Sequence, residues 1–430
     1  MKSLDRHFSE VCSGGWRVLR SKISTILNFL VSFISGIWAI PAVLIIRCLR
    51  PWCIIRFGPV STSRIGTFIV EVGGMCQRQS ERTLDLYWFD KPISNNFWAV
   101  MVRRNFHISA WIRPLDFWNQ RLPGGDLHYL APTDYFRLTS SGNQGWCERI
   151  QTNLHFLPEE DARAYAWLSQ QGWHEGDPFV CLLVRDNSYL DSTYPNTDIP
   201  QEKEIHYDPK SGYGWSHLNY RDSDIATYVP AAEWLADQGV WVLRMGKVMA
   251  QPISSSRPRI IDYAFHSDRS DFLDIWLFAH CDLCISTGAG IDTISDIYCR
   301  PVLYLNFLPL WISTIWSDSL NIPKTLIWQA SGIPLICKEY FTITNHAEYY
   351  DHIGISIINL TQDEILSAVQ EQWQRLQETW VGTEDDLRRY HRFWEILKAH
   401  TDFPRSHGWT PSKSRVGAIW LRSKGDDFLK

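Results

Sequence analysis

Two apolar patterns alternate through the second half of this chain. Short, mainly apolar runs at 179–184, 240–245, 259–264, 282–286 and 302–306 read as buried strands, and the segments at 224–238, 270–280 and 290–299 carry apolar residues at helical spacing. Continuous apolar strands separated by helices predict a parallel sheet covered on both faces. Another helix is predicted at 362–378. In the first half, residues 54–57, 67–72 and 84–89 read as short strands, divided by turn pairs such as Gly58-Pro59 and Gly73-Gly74. The stretch from 97 to 150 is irregular and aromatic. Pro158, followed by Glu159, Glu160 and Asp161, opens a helix that ends by Gly172. The pattern divides the chain into an N-terminal segment 1–50, an α/β domain 51–157, a connector 158–175, a second α/β domain 176–380 and a C-terminal extension 381–430. No internal repeat is evident.

The N-terminal segment changes this picture. Residues 23–46 carry no formal charge, and they lie between Arg17, Arg20 and Lys22 on one side and Arg47 and Arg50 on the other. A run of this length reaches the ~20 residues that cross a bilayer. Asn28, Gly36, Pro41 and several serines interrupt it, and basic flanks at both ends favour a helix lying in one leaflet over a clean span. A true span and a buried helix are the alternatives.

Composition narrows the classes. A chain of 430 residues exceeds one ordinary core, and 45% hydrophobic against 21% charged residues marks it as globular. Lys plus Arg number 42 against 47 Asp plus Glu, which gives no support for a nucleic-acid partner, so any anionic ligand must be held locally. The ten cysteines are scattered, several within apolar runs, as suits reduced thiols of a cytosolic compartment. Cys281 and Cys284 have CxxC spacing without a second pair. Neither a GxSxG elbow nor an HExxH helix is present.

The candidate chemistry collects at the predicted strand ends. Arg185 and Asp186 follow the 179–184 strand, and Ser286-Thr287-Gly288-Ala-Gly290 follows the 282–286 strand just before a helix. In a parallel sheet such ends lie along one edge, where ligands bind. A guanidinium beside a small-residue turn with open amides suits a diphosphate. Arg244 and Lys247 stand after a third strand, and Arg221 lies in Tyr220-Arg-Asp-Ser-Asp224. Asp292 could bond a ribose hydroxyl or complement the helix dipole. Asp222-Ser-Asp224 has the DxD form of some metal sites, yet its place before a helix suits an N-cap, and we predict no metal. On the other domain, Arg64 and Thr67 are placed near an acceptor, with Glu71 and then Asp90 as candidate general bases at strand ends. His107, His128 and His155 lack metal-ligand spacing and are expected to be structural.

Several of these segments together resemble a known family. They are Ile40-Pro-Ala-Val-Leu-Ile-Ile-Arg47, Ile55-Arg-Phe-Gly58, Arg64-Ile-Gly66, Val184-Arg-Asp-Asn-Ser-Tyr-Leu190, Tyr220-Arg-Asp-Ser-Asp-Ile225, Val242-Leu-Arg-Met-Gly246, the Ser286 loop and an echo at Ser414-Arg-Val-Gly417. The chain resembles bacterial glycosyltransferases associated with surface-polysaccharide synthesis, over residues 40 to 310. The resemblance implies two Rossmann-like domains facing across a cleft, the GT-B architecture, with a nucleotide-sugar donor on the C-terminal domain and no cofactor or metal. With the 23–46 segment, we expect a glycan or lipid-linked acceptor and a membrane surface at the cytoplasmic face of the inner membrane. The family commonly has a histidine after Arg-Ile-Gly, where this chain has Thr67. More distantly, the chain is similar to fucosyltransferase-type enzymes, whose strand-end arginine Arg185 matches by position. A nucleotide-sugar epimerase of similar fold and a non-catalytic scaffold in polysaccharide assembly are the competing expectations.

Overall fold

A computed structural model describes residues 34–78, 82–133, 146–193, 219–310, 318–343, 347–400 and 414–430. The chain divides into two units, one of Met1–Ser63, Arg78–Ile93 and Val102–Pro132, the other of Arg64–Gln77, Ser94–Met101 and Thr133–Lys430. Both are mixed α/β with parallel sheets. The division departs from the boundaries read in the sequence, because residues 64–77 and 94–101 cluster with the C-terminal sheet.

In the first unit β1 (Ile54–Val60), β2 (Thr83–Phe89) and β3 (His107–Ile108) pair in parallel in that order. Its core joins Phe57 of β1 to Ile112 and Leu115 of helix Ile112–Asn119 and to Ala39 and Val43 of helical residues 34–48. Arg47 fastens that N-terminal helix, donating from Nη2 to the Asn119 side chain at 2.8 Å and from Nη1 to the Pro123 carbonyl at 2.6 Å. A side chain at Gly36 would stand 2.7 Å from the Trp118 ring, so the helix approaches closely there. One face of this apolar helix is therefore packed on protein. The opposite face exposes Ile37 (81%) and Ile45 (63%) to solvent. Among the described residues no helix is long and apolar enough to cross a membrane. His128 is structural as expected, its Nδ1 lying 2.6 Å from the Ile55 carbonyl oxygen.

The second unit is built on a seven-stranded parallel sheet. Its strands are β4 (Phe179–Leu183), β5 (Trp241–Arg244), β6 (Ile260–Ile261), β7 (Leu283–Ser286), β8 (Val302–Leu305), β9 (Ser319–Ile322) and, after the antiparallel pair β10 (Thr325–Trp328) and β11 (Ile355–Ile358), β12 (Arg415–Val416). The order across the sheet is β12-β9-β8-β7-β4-β5-β6. From β4 the chain winds outward through β5 and β6, then returns to β4's other side and winds outward again through β7, β8 and β9. This is the doubly wound order, with its switch point between β4 and β7.

Three sequence expectations change. Residues 67–72 are helix, part of Ile65–Gln77, where every position from Phe68 to Cys76 is buried. A stretch buried on all sides, as 68–76 is, shows no amphipathic period, and Phe68-Ile-Val70 mimics a strand. The segment 381–430 is no appendage. Helix Glu384–Lys398 adds Phe393 and Leu397 to the main core, helix Ala418–Lys424 adds Trp420 and Leu421, and Glu371 receives the amides of Ala418 and Ile419 at 2.9 Å each. Finally, Cys76, Cys181, Cys281, Cys284 and Cys337 are buried free thiols as expected, whereas Cys299 is disulfide-bonded.

Candidate functional site

The C-terminal ends of β4 and β7 diverge at the switch point, and two hydrogen bonds hold them together. The Arg185 amide donates to Thr287 Oγ1 at 3.0 Å, and the Thr287 amide donates to the Leu183 carbonyl at 3.2 Å. Arg185 and the Ser286 loop are thus neighbours, as the strand pattern predicts. The Arg185 side chain is 9% exposed residue-wide. Its Nε lies 3.4 Å from Asp222 Oδ1, and among the described residues its buried Nη2 has no hydrogen-bond partner. Burial pulls the Arg185 pKa down; Asp222 opposes this, while Arg221 and Arg64 add to it. The guanidinium thus has one carboxylate neighbour and one idle donor, and an unmade buried bond costs about 1–3 kcal/mol.

The glycine-rich turn behaves otherwise than its sequence suggests. Gly288 (φ 80°) and Gly290 (φ 94°) occupy the left-handed region that favours glycine. The amides, however, are engaged within the loop. Ser286 Oγ donates to Asp292 Oδ2 at 2.6 Å and accepts from the Gly288 amide at 3.0 Å, and the Ala289 amide donates to Asp292 Oδ2 at 3.1 Å. Asp292 is buried and its pKa is raised by that burial, with these bonds opposing. The carboxylate therefore fills the place an external anion was expected to take. The helix that follows, Thr293–Ile297, has a single turn. What the loop offers a ligand is shape and closeness, not open amides.

Other predicted residues separate into those near Arg185 and those turned elsewhere. Arg64 and Arg221 act electrostatically on Arg185, and Arg221 also on Asp292. Arg64, expected near an acceptor, thus stands in the electrostatic neighbourhood of Arg185. Asp186 is used up as a loop staple, its carboxylate accepting the Ser188 and Ala250 amides at 2.9 Å each. Arg244 is 1% exposed, bonds the Gln251 carbonyl at 3.3 Å and is offset by Asp262 and Asp186, which places it with the β6 side of the sheet. Lys247 donates to the Ser94 carbonyl at 3.1 Å and pairs with Asp271 at 3.4 Å. Asp224 caps the short helix Ile225–Tyr228 by accepting the Ala226 amide at 2.9 Å, so Asp222 and Asp224 serve different partners. Among the described residues no group of three metal-ligating side chains forms.

The expected bases fare differently. Glu71 is buried in its helix and accepts the Thr133 amide at 2.9 Å, so it stands neither on a strand nor at a strand end. Thr67, on the same helix, is exposed. Asp90 is exposed at the end of β2, and its carboxylate accepts a local amide, from Lys91 at 2.9 Å.

Two strand-end residues escape the sequence reading. Asn306, following β8 with φ 53°, donates to Tyr228 Oη at 3.0 Å and accepts the Leu360 amide at 2.7 Å, a structural clip. Lys324, just past β9, is 2% exposed and donates to the Asp222 carbonyl at 2.7 Å. The Pro323 that ends Ser319-Leu-Asn-Ile322 was the one available signal for that strand end.

No family model matches this chain. No curated protein matches it either. Among solved structures, a glycosyl transferase family 9 protein from Veillonella parvula is similar at 10% identity over 62% of this chain and 86% of its own, with a TM-score of 0.35. ADP-heptose LPS heptosyltransferase II from E. coli is similar at 10% identity over 75% of this chain and 99% of its own, with a TM-score of 0.38.

Proposed function

We propose that this chain is a glycosyltransferase that moves a sugar from a nucleotide diphosphate donor to a glycan or lipid-linked acceptor. The observation that carries the reading is the buried Arg185 guanidinium with its idle Nη2, standing at the switch point of a doubly wound sheet. Departure of the diphosphate builds negative charge, and fixed cations in a poorly hydrated site stabilise it more than water does. Arg185, with Arg221 and Arg64 close by, can supply that charge from protein groups. Asp90 keeps the role of candidate base, since its carboxylate is accessible, and Glu71 loses it because the Thr133 amide occupies it in a buried helix. The GT-B arrangement of two Rossmann-like domains remains part of this proposal.

The reading also places the protein on a membrane surface, at the cytoplasmic face of the inner membrane. Support comes from the helix at 34–48, whose exposed Ile37 and Ile45 neighbour the basic Arg47 and Arg50. A non-catalytic scaffold is the second reading, favoured by the buried Glu71 and by Thr67 at the family's histidine position.

Calorimetry of purified protein against the common nucleoside diphosphates tests the donor site. Wild type should bind at least one, and Arg185→Ala should weaken it tenfold or more. Undiminished affinity in Arg185→Ala removes Arg185 from the site. Binding without release of nucleotide from any nucleotide sugar, with acceptor extract supplied, would favour the scaffold.

A further inference from the structure

Lys324 sits where a lysine is seldom found. It is 2% exposed, yet the group it touches is the backbone carbonyl of Asp222, at 2.7 Å, not a carboxylate. Buried ammonium groups are usually paired with a counter-ion, because stripping their water is costly. An ammonium has three donors, and one finds a partner among the described residues. The same Asp222 holds Arg185 from its other end, through Oδ1 at 3.4 Å from Nε. One residue therefore separates two buried cations that come from strands β4 and β9, on either side of β7 and β8.

We propose that Lys324 is a second phosphate-binding cation of the donor site, acting with Arg185 as a two-cation clamp for the diphosphate group. The inference rests on the donor-site reading above and extends it to a residue outside the 185–292 region. Arg185 offers an unpartnered planar donor, and Lys324 a compact charge with spare protons. Together they fit a ligand with at least two negative charges in adjacent groups, and they favour a diphosphate over a monophosphate. Burial, opposed by Asp222 and reinforced by Arg185, pulls the Lys324 ammonium down to about 8. That strain is what an incoming anion would relieve. A lysine serving only to clip the 219–224 turn onto the end of β9 would need no second charge beside it.

Calorimetry with inorganic pyrophosphate, and with the nucleoside diphosphate that wild type binds best, tests the clamp in wild type, Lys324→Met and Lys324→Arg. Lys324→Gln, which keeps a donor for the Asp222 carbonyl, replaces the methionine variant if that one does not fold. A tenfold or greater loss of affinity in the uncharged variant, recovered to within threefold by arginine, is the expected result. Affinity of the uncharged variant within twofold of wild type overturns the role of Lys324 and leaves Arg185 and the donor reading standing. Wild type that binds neither pyrophosphate nor any nucleoside diphosphate overturns both.

Discussion

Gly66 meets Gly290 backbone to backbone: a Cβ built on Gly66 would lie 3.0 Å from the Gly290 Cα and 3.3 Å from its carbonyl oxygen. The start of helix Ile65–Gln77 thereby presses directly on the turn after β7. Neither neighbouring atom belongs to a flexible side chain, so Gly66→Ala must displace one segment. Overpacking of this kind costs about 1–3 kcal/mol. Denaturant unfolding should register a loss of that size, and nucleoside diphosphate affinity should fall with it. An unchanged midpoint would show that the two segments separate freely.

Lys324 should leave a signature in the pH dependence of stability. Its folded pKa is depressed to about 8 by burial, whereas an unfolded lysine titrates near ~10.4. Below pH 8 both states hold the proton and the folded state bears the full cost of a buried charge. Between those two values the unfolded state binds more protons, so folding stability contributed by this group rises with pH. Relative to Lys324→Met, wild type should gain on the order of 2 kcal/mol as pH climbs from 8 to 10. Parallel stability curves for the two proteins would contradict a buried charge.

Asp292 should matter for folding more than for ligand charge. Its carboxylate receives Ser286 Oγ and the Ala289 amide inside the turn, and Asp292→Ala strands both donors. Leaving buried donors unmade costs about 1–3 kcal/mol. Thermal unfolding should show that loss, and Ser286→Ala should lose less. If Asp292→Ala instead kept its stability and bound diphosphate more tightly, the carboxylate would be a competitor for the ligand and not a support of the turn.

The exposed face of the 34–48 helix should bind lipid. Ile37 and Ile45 are, with Ile34, the most exposed large apolar residues there, and neither contributes to the core formed by Ala39 and Val43. The double change Ile37→Asp and Ile45→Asp should abolish sedimentation with anionic vesicles while leaving the melting curve in place. Retained sedimentation would move the membrane contact to another part of the chain.

Legibility in the sequence followed burial. The strands β4, β5, β7 and β8 are continuous apolar runs broken by polar residues, so both their existence and their ends were readable, and Arg185 with Ser286 came with them. Helix Ile65–Gln77 was not readable as a helix because every position from Phe68 to Cys76 is buried, and the error carried Glu71 and Thr67 onto a false strand. β9 was missed for the opposite reason. Its Ser319 and Asn321 look solvent-facing but are buried, with Asn321 Nδ2 donating to Ser414 Oγ at 2.8 Å, a partner far along the chain. Lys324 stayed hidden with it. The self-bonded state of the 286–290 turn depends on side-chain rotamers, which spacing alone does not determine.

The pairing of β12 with β9 has a consequence for synthesis. The 94-residue step from Asn321 to Arg415 takes ~5–20 s to translate at about 5–20 residues per second. Through that interval the outer border of β9 has open amides and carbonyls, an invitation to wrong partners. Until the segment around Arg415 has been made, that border stays open to mispairing.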